Sequence, residues 1–347
     1  MRLTAGSEAR NPVWRLLTPL ASVCLAVFAG IEVIPRETGA GWGVIAADVS
    51  RTSVSQLAAM TAMWALGLLA YTTVLTRALP GLSRVRALTL NLTGSAVSNL
   101  LPFGGAAGVG LNFRMVRSWG FSANEFVSFT VATQLVNVAA KLALPTAAVT
   151  LLAFTGVLPD RRLSFVALVA AVALVVGVCL VISGMRRSTA EERPGSHLGH
   201  GRVGTVKTRI REAFRAAGRV LARGWWCLTA SMTAYSASHV ALLWLALRAV
   251  HGPVGPANIL AAYAVERLLT LVPLTPGGAG VVEIGMTGLL VGLGGSPAGT
   301  AAGVLIYRAF VFGLEIPVGG MWLLTWLWCR HRAARRIRRA VTCESPT

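Results

Sequence analysis

The sequence predicts an all-α polytopic membrane protein, with about six full spans and two Gly/Pro-broken re-entrant hairpins in an inverted repeat. Three observations predict it. Hydrophobic residues make up 54% of the 347-residue chain and charged residues 13%, where a soluble domain carries about 25% charge. Apolar runs recur at about the 20 residues that a bilayer-crossing helix needs. The formal net charge is +19, and the basic residues gather between particular runs, as loops on the cytoplasmic side do. The mean hydropathy of +0.65 excludes disorder. A nucleic-acid binder would be basic without being this apolar, so no nucleic-acid partner is expected. Residues 1–347 read as a single integral membrane domain.

Residues 16–34 form the first apolar run, preceded by Arg2, Arg10 and Arg15. The run is long for the core of a signal peptide and no small-residue cleavage site closes it, so it reads as a span. Residues 57–79 form the second, flanked by Arg77, Arg84 and Arg86. An irregular stretch over 87–113 follows. It holds Asn91, Asn99 and a break at Pro102, Gly104 and Gly105, with Arg114 and Arg117 directly after it. Residues 126–154 are a long span interrupted by Pro145, and 163–184 a clean one. Residues 185–224 are a basic loop with ten Lys+Arg and three Glu. Its later part, 206–223, alternates Arg with apolar residues. It reads as an amphipathic surface helix or as a solvated connection with a helical end. Residues 225–248 are a span that opens on a Trp pair. Residues 258–294 are apolar but broken at Pro273, Pro276, Gly277, Gly278 and Gly280. The last span lies within 297–329, and 330–347 is a basic tail.

Charge decides the topology. Were 87–113 a single full span, Arg114, Arg117 and the ten-cation loop would face outward, against the positive-inside tendency. As a hairpin that enters and returns, the stretch leaves the N-terminus, 77–86, 114–117, 185–224 and the tail all cytoplasmic. Those segments hold 24 of the 32 Lys+Arg. The second broken segment then enters from outside, as a re-entrant hairpin or as two short spans. The expected location is a bacterial cytoplasmic (inner) membrane, with both termini cytoplasmic.

The halves 16–155 and 163–329 then run in the same order with opposite orientation: span, span, broken segment, span. The two breaks also echo each other in sequence, each with Pro followed by a Gly pair. Corresponding Gly/Pro-interrupted segments in two halves are the sequence pointer to a transporter's binding site, because unwound backbone survives at membrane depth only inside protein or beside water.

Six charges fall inside apolar segments: Lys141, Glu266, Arg267, Glu283, Arg308 and Glu315. Intramembrane charges are costly and mark paths or partners. Glu283 with Arg308 is the expected central pair, with Glu266, Arg267 and Lys141 lining a path and Arg114 at its cytoplasmic mouth. Glu315 with Lys141 is a second expected pair. Gln134 and Asn137 share the helix face of Lys141 at i, i+3 and i+7. His239 reads as a packed, hydrogen-bonded side chain. The five Cys and five His form no ligand cluster, so neither metal nor cofactor is expected. No phosphate-loop pattern occurs, and no nucleophile–base constellation indicates an enzyme.

The run Glu266-Arg267-Leu268, then Pro273-Leu274-Thr275-Pro276-Gly277-Gly278-Ala279-Gly280-Val281-Val282-Glu283, with Tyr307-Arg308 beyond, resembles the lysylphosphatidylglycerol synthase transmembrane region, also called the flippase-like domain family. Leu101-Pro102-x-Gly104-Gly105 with Arg114 resembles its earlier motif. The resemblance implies a part in moving an anionic or aminoacylated phospholipid between leaflets. With only 330–347 beyond the last span, it implies a stand-alone member without the synthase domain. The alternative expectation is a non-transporting membrane partner of a lipid-modifying or cell-envelope enzyme.

Overall fold

The computed structural model describes residues 41–101, 104–154, 172, 202–250, 255–271 and 275–343. The expected spans 16–34 and, but for residue 172, 163–184 lie outside them, as do Pro102, Pro273 and residues 185–201 of the basic loop. The described residues form ten α-helices and no strand: α1 (Trp42–Ser50), α2 (Val54–Ala78), α3 (Arg84–Leu100), α4 (Gly104–Ser118), α5 (Ala123–Phe154), α6 (Arg202–Ala249), α7 (Pro256–Leu269), α8 (Val281–Gly292), α9 (Pro297–Arg308) and α10 (Glu315–Cys343). A 3₁₀ turn (Pro276–Gly278) precedes α8, and a π turn (Ala309–Gly313) joins α9 to α10.

Local chemistry sets the helix starts. Ser53 opens α2 with a capping box: its hydroxyl accepts from Gln56 N at 3.3 Å, and Gln56 Oε1 accepts from Ser53 N at 2.8 Å. Ser122 and Glu125 do the same for α5 at 3.2 and 2.7 Å. Pro256 and Pro297 sit at the first positions of α7 and α9, where a missing N–H costs nothing. Pro145 lies inside α5 and removes the helix bond to the Lys141 carbonyl.

Four described segments are long and apolar enough to cross a bilayer: Val54–Ala78, Ala123–Ala148, Gly224–Ala249 and Pro297–Arg332. They fall on the expected spans 57–79, 126–154, 225–248 and 297–329. Residues 202–224 are helical and run without a break into the third of these. Arg lowers the hydropathy there without lowering helix propensity. The 48 residues of α6 therefore extend about 72 Å, more than twice the ~30 Å hydrocarbon thickness.

The helices pair in a repeating pattern. α2 packs on α3 as α6 packs on α7, α3 on α4 as α7 on α8, and α4 on α5 as α8 on α9. α5 packs on α7 as α10 packs on α3, and α2 meets α6 at the centre. The α3–α10 contact is close: a Cβ on Gly319 would strike the Leu92 carbonyl, and Trp322 donates to Thr89 Oγ1 at 2.9 Å. One apolar core joins α6, α7, α8 and α9 through Leu242, Tyr263, Met286 and Tyr307. A second joins α2, α3, α4 and α5 through Leu75, Leu90, Met115 and Phe126. Outside, large apolar side chains face away from the protein, as with Leu69 at 59% and Leu324 at 67% exposure. Inside lie Glu266, Glu283 and Arg308, all buried. An oily exterior around a charged interior is the arrangement that a bilayer solvent favours.

Candidate functional site: a charged cavity where the two breaks meet

Two interruptions in the helices converge. In the first, α3 ends at Leu100 and α4 begins at Gly104, whose N–H donates to Leu101 O at 2.9 Å. Gly104 is required by close approach, since a Cβ there would collide with the Ser98 backbone. Gly105 is exposed and has no atom within 4 Å of a built Cβ. In the second, Gly277, Gly278 and Gly280 all have positive φ, at 58°, 73° and 82°, a region that other residues occupy only at a cost. The 3₁₀ turn packs on α3, and Asn99 near the end of α3 lies beside Gly277.

Gly277 is the most constrained of these glycines, because a Cβ would also press into the Phe312 ring. Gly277→Ala is expected to cost about 1–3 kcal/mol, the usual range for a residue held in a sparsely populated conformation. It should lower the melting temperature of the detergent-solubilised protein, while Gly105→Ala leaves it unchanged.

Arg308 ties the second break to the last membrane segment. Its Nε donates to Glu283 Oε1 at 2.7 Å and its Nη2 to the Gly277 carbonyl at 2.9 Å. Its Nη1 lies 3.5 Å from Glu266 Oε1. Glu266 is fully buried and saturated. Arg267 Nη2 donates to its Oε1 at 2.7 Å, and the Tyr307 hydroxyl to its Oε2 at 2.6 Å. The expected Glu283–Arg308 contact is therefore present, within a cluster that also takes in Glu266, Arg267 and Tyr307. The π turn falls directly between Arg308 and Glu315, and π turns recur at functional sites.

A cavity of about 310 Å³ opens on this cluster. Walls come from α2, α3, α5, α6, α7, both irregular turns, Arg308 of α9 and the first residue of α10. Lys141, Arg267 and Arg308 line it against Glu266 and Glu315, so cations exceed carboxylates by one on its surface. Glu283 pairs with Arg308 from behind and is not part of the lining. Asn91, Asn99, Gln134 and Asn137 add amide groups. Arg267 Nε is buried without a hydrogen-bond partner among the described residues. A buried, unmatched donor of this kind calls for water or a ligand group.

The second expected pair does not form. Lys141 Nζ donates to Thr270 Oγ1 at 3.2 Å, while Glu315 Oε2 accepts from Asn99 Nδ2 at 3.3 Å. Both line the cavity, but α5 turns Lys141 toward α7 and α10 turns Glu315 toward α3. Arg114 is exposed and stands apart from the cavity lining. Its neighbours Met115 and Val116 are the buried residues that pack α4 inward, which turns Arg114 outward. His239 is buried with its Nδ1 2.8 Å from the Tyr235 carbonyl, and it also lines the cavity.

Sequence reasoning missed three tyrosines, Tyr71, Tyr235 and Tyr263, and gave Tyr307 no partner. The chain has four. Tyr71, Tyr235 and Tyr263 line the cavity and Tyr307 holds Glu266. Asn137 donates to the Tyr71 hydroxyl at 2.9 Å, and the Tyr71 and Tyr235 rings lie 5.3 Å apart. A signal was available: every tyrosine sits in the middle of an apolar segment rather than at a membrane interface, where such residues usually gather.

No curated protein matches the chain. The family described as lysylphosphatidylglycerol synthase TM region matches it over residues 16–319, which includes both breaks and every charged residue of the cavity. The chain is a multi-pass membrane protein that belongs to the lysylphosphatidylglycerol synthase transmembrane region family.

Proposed function

We propose that this protein moves a phospholipid between the leaflets of a bacterial inner membrane, passing the headgroup through the charged cavity while the tails stay in the bilayer. One observation carries the reading: an amide- and cation-rich cavity, buried among apolar helices, at the point where both helix breaks meet. Its volume of about 310 Å³ falls at the lower end of small-ligand sites, enough for a headgroup and too little for a whole lipid. The cation surplus and the unmatched Arg267 Nε suit a phosphate, to which guanidinium donors bind well. Polar groups at this depth lower the cost of carrying a charged headgroup across hydrocarbon.

The two broken segments are re-entrant hairpins in this reading, and the halves are inverted repeats. The paired packing pattern supports this: the α2–α3, α3–α4, α4–α5 and α5–α7 contacts have counterparts in α6–α7, α7–α8, α8–α9 and α10–α3. Irregular backbone between such repeats is where transporters place their substrate. Single cysteines in an otherwise cysteine-free chain test the path. Ser95→Cys, inside the cavity, should react with a membrane-impermeant thiol reagent added from either side. Thr205→Cys should react from the cytoplasmic side alone. A Ser95→Cys site sealed from both sides would sink the path, and outside labelling at 205 would sink the orientation.

A further inference from the structure

A second, larger cavity of about 690 Å³ runs between α5 and α6, with a lining almost wholly apolar. Ala139, Ala143 and Ala147 form its floor on α5, at the i, i+4, i+8 spacing that places them on one helix face. Leu221, Leu228 and Met232 line the α6 side. Alanines leave a furrow where larger side chains would have closed the helix–helix contact. The furrow and the charged cavity share Ala140, Leu144, Met232 and Ser236 in their linings, so the two lie side by side. From Leu221 to Ser236 it follows α6 for about 22 Å, longer than the ~15 Å of hydrocarbon in one leaflet. Its far end carries Trp225, stacked on Trp226 with ring centroids 3.7 Å apart, and paired tryptophans of this kind mark a membrane interface.

We infer that this furrow is a tail site, holding one hydrocarbon chain of the phospholipid whose headgroup occupies the charged cavity. The inference rests on the proposed function and adds the apolar half of the binding site. The adjacency of the two spaces selects the occupant. A single molecule with a polar end and an apolar end fills both, whereas a protein segment would fill the furrow and leave the cavity unmatched. A tail running from the cavity toward Trp225 also fixes the lipid's orientation. Its headgroup points away from that interface, as in lipids of the opposite leaflet.

The test uses the full chain in phosphatidylglycerol–phosphatidylethanolamine vesicles that contain a phospholipid with a photoreactive diazirine on its acyl chain. Adducts are mapped by mass spectrometry after illumination. The furrow faces of 135–147 and 221–236 should be labelled more densely than Leu66 and Leu69, which are exposed on the outside of α2. Ala143→Phe should lower furrow labelling roughly tenfold, the equivalent of displacing about two methylene groups, and leave labelling at Leu66 and Leu69 unchanged. The wild-type map stands even if that variant fails to fold. Furrow labelling no denser than at Leu66 and Leu69 would overturn the tail site. So would a disulfide between Ala143→Cys and a cysteine placed in 163–184, since that segment would then be the occupant. Lipid movement without furrow adducts overturns the tail site alone. Furrow adducts in a protein that moves no lipid overturn the proposed transport and leave the tail site standing.

Discussion

Arg308→Met is expected to be the most damaging single substitution in the chain. Arg308 holds Glu283 at 2.7 Å and the Gly277 carbonyl at 2.9 Å, and reaches Glu266 at 3.5 Å. Its removal leaves Glu283 buried without a cation among the described residues, and takes away the hydrogen bond from the last membrane segment to the second break. Breaking a buried pair by deleting one partner costs about 3–5 kcal/mol, most of it from the charge left behind. That origin makes a second result predictable. Adding Glu283→Met removes the stranded charge, and Glu266 still keeps Arg267 and Tyr307. The double variant should therefore recover a large part of the lost stability. Thermal unfolding in detergent checks both, with the single variant melting below the double. The double variant should still move lipid poorly, because the cavity has lost a cation.

Lys141→Gln should separate function from folding. Lys141 donates to one hydroxyl, Thr270 Oγ1 at 3.2 Å, and forms no ion pair with the cavity carboxylates. Its removal strands no partner, so the melting temperature should stay near that of the wild type. A charge-assisted hydrogen bond to a phosphate contributes about 1.5–3 kcal/mol. Losing it where the headgroup crosses slows the crossing by roughly ten- to a hundredfold. Arg114→Gln supplies the contrast. Arg114 is exposed and outside the cavity, so its loss should leave the rate unchanged. Lipid movement in reconstituted vesicles reads all three proteins side by side.

Much of this site was legible because membrane depth makes polar residues conspicuous. Glu266, Arg267, Glu283 and Arg308 stand out in an apolar background, and the run from Pro276 to Gly280 announces a conformation that other residues resist. The spans of α2, α5, α6 and the joined α9 and α10 follow from length and hydropathy alone. Pairing was less legible. Lys141 and Glu315 were matched by charge, but the rotation of α5 and α10 about their own axes decides where each side chain points. Only packed neighbours set that rotation. The outward direction of Arg114 has the same origin, since burial of Met115 and Val116 turns it away from the cavity. Tyr71, Tyr235 and Tyr263 were overlooked because a tyrosine in an apolar run reads as core until its hydroxyl's partner is known. The 202–224 helix was left open because hydropathy reports membrane burial and not helicity.

The central claim is that the charged cavity carries a lipid headgroup across the membrane. Its most direct test is the rate at which a headgroup-labelled phospholipid exchanges between leaflets, measured in protein-free vesicles and in vesicles holding the wild type or Lys141→Gln. The account predicts fast exchange with the wild type, at least about tenfold slower exchange with Lys141→Gln, and the slowest exchange without protein. Wild-type vesicles that exchange lipid no faster than protein-free ones would contradict it.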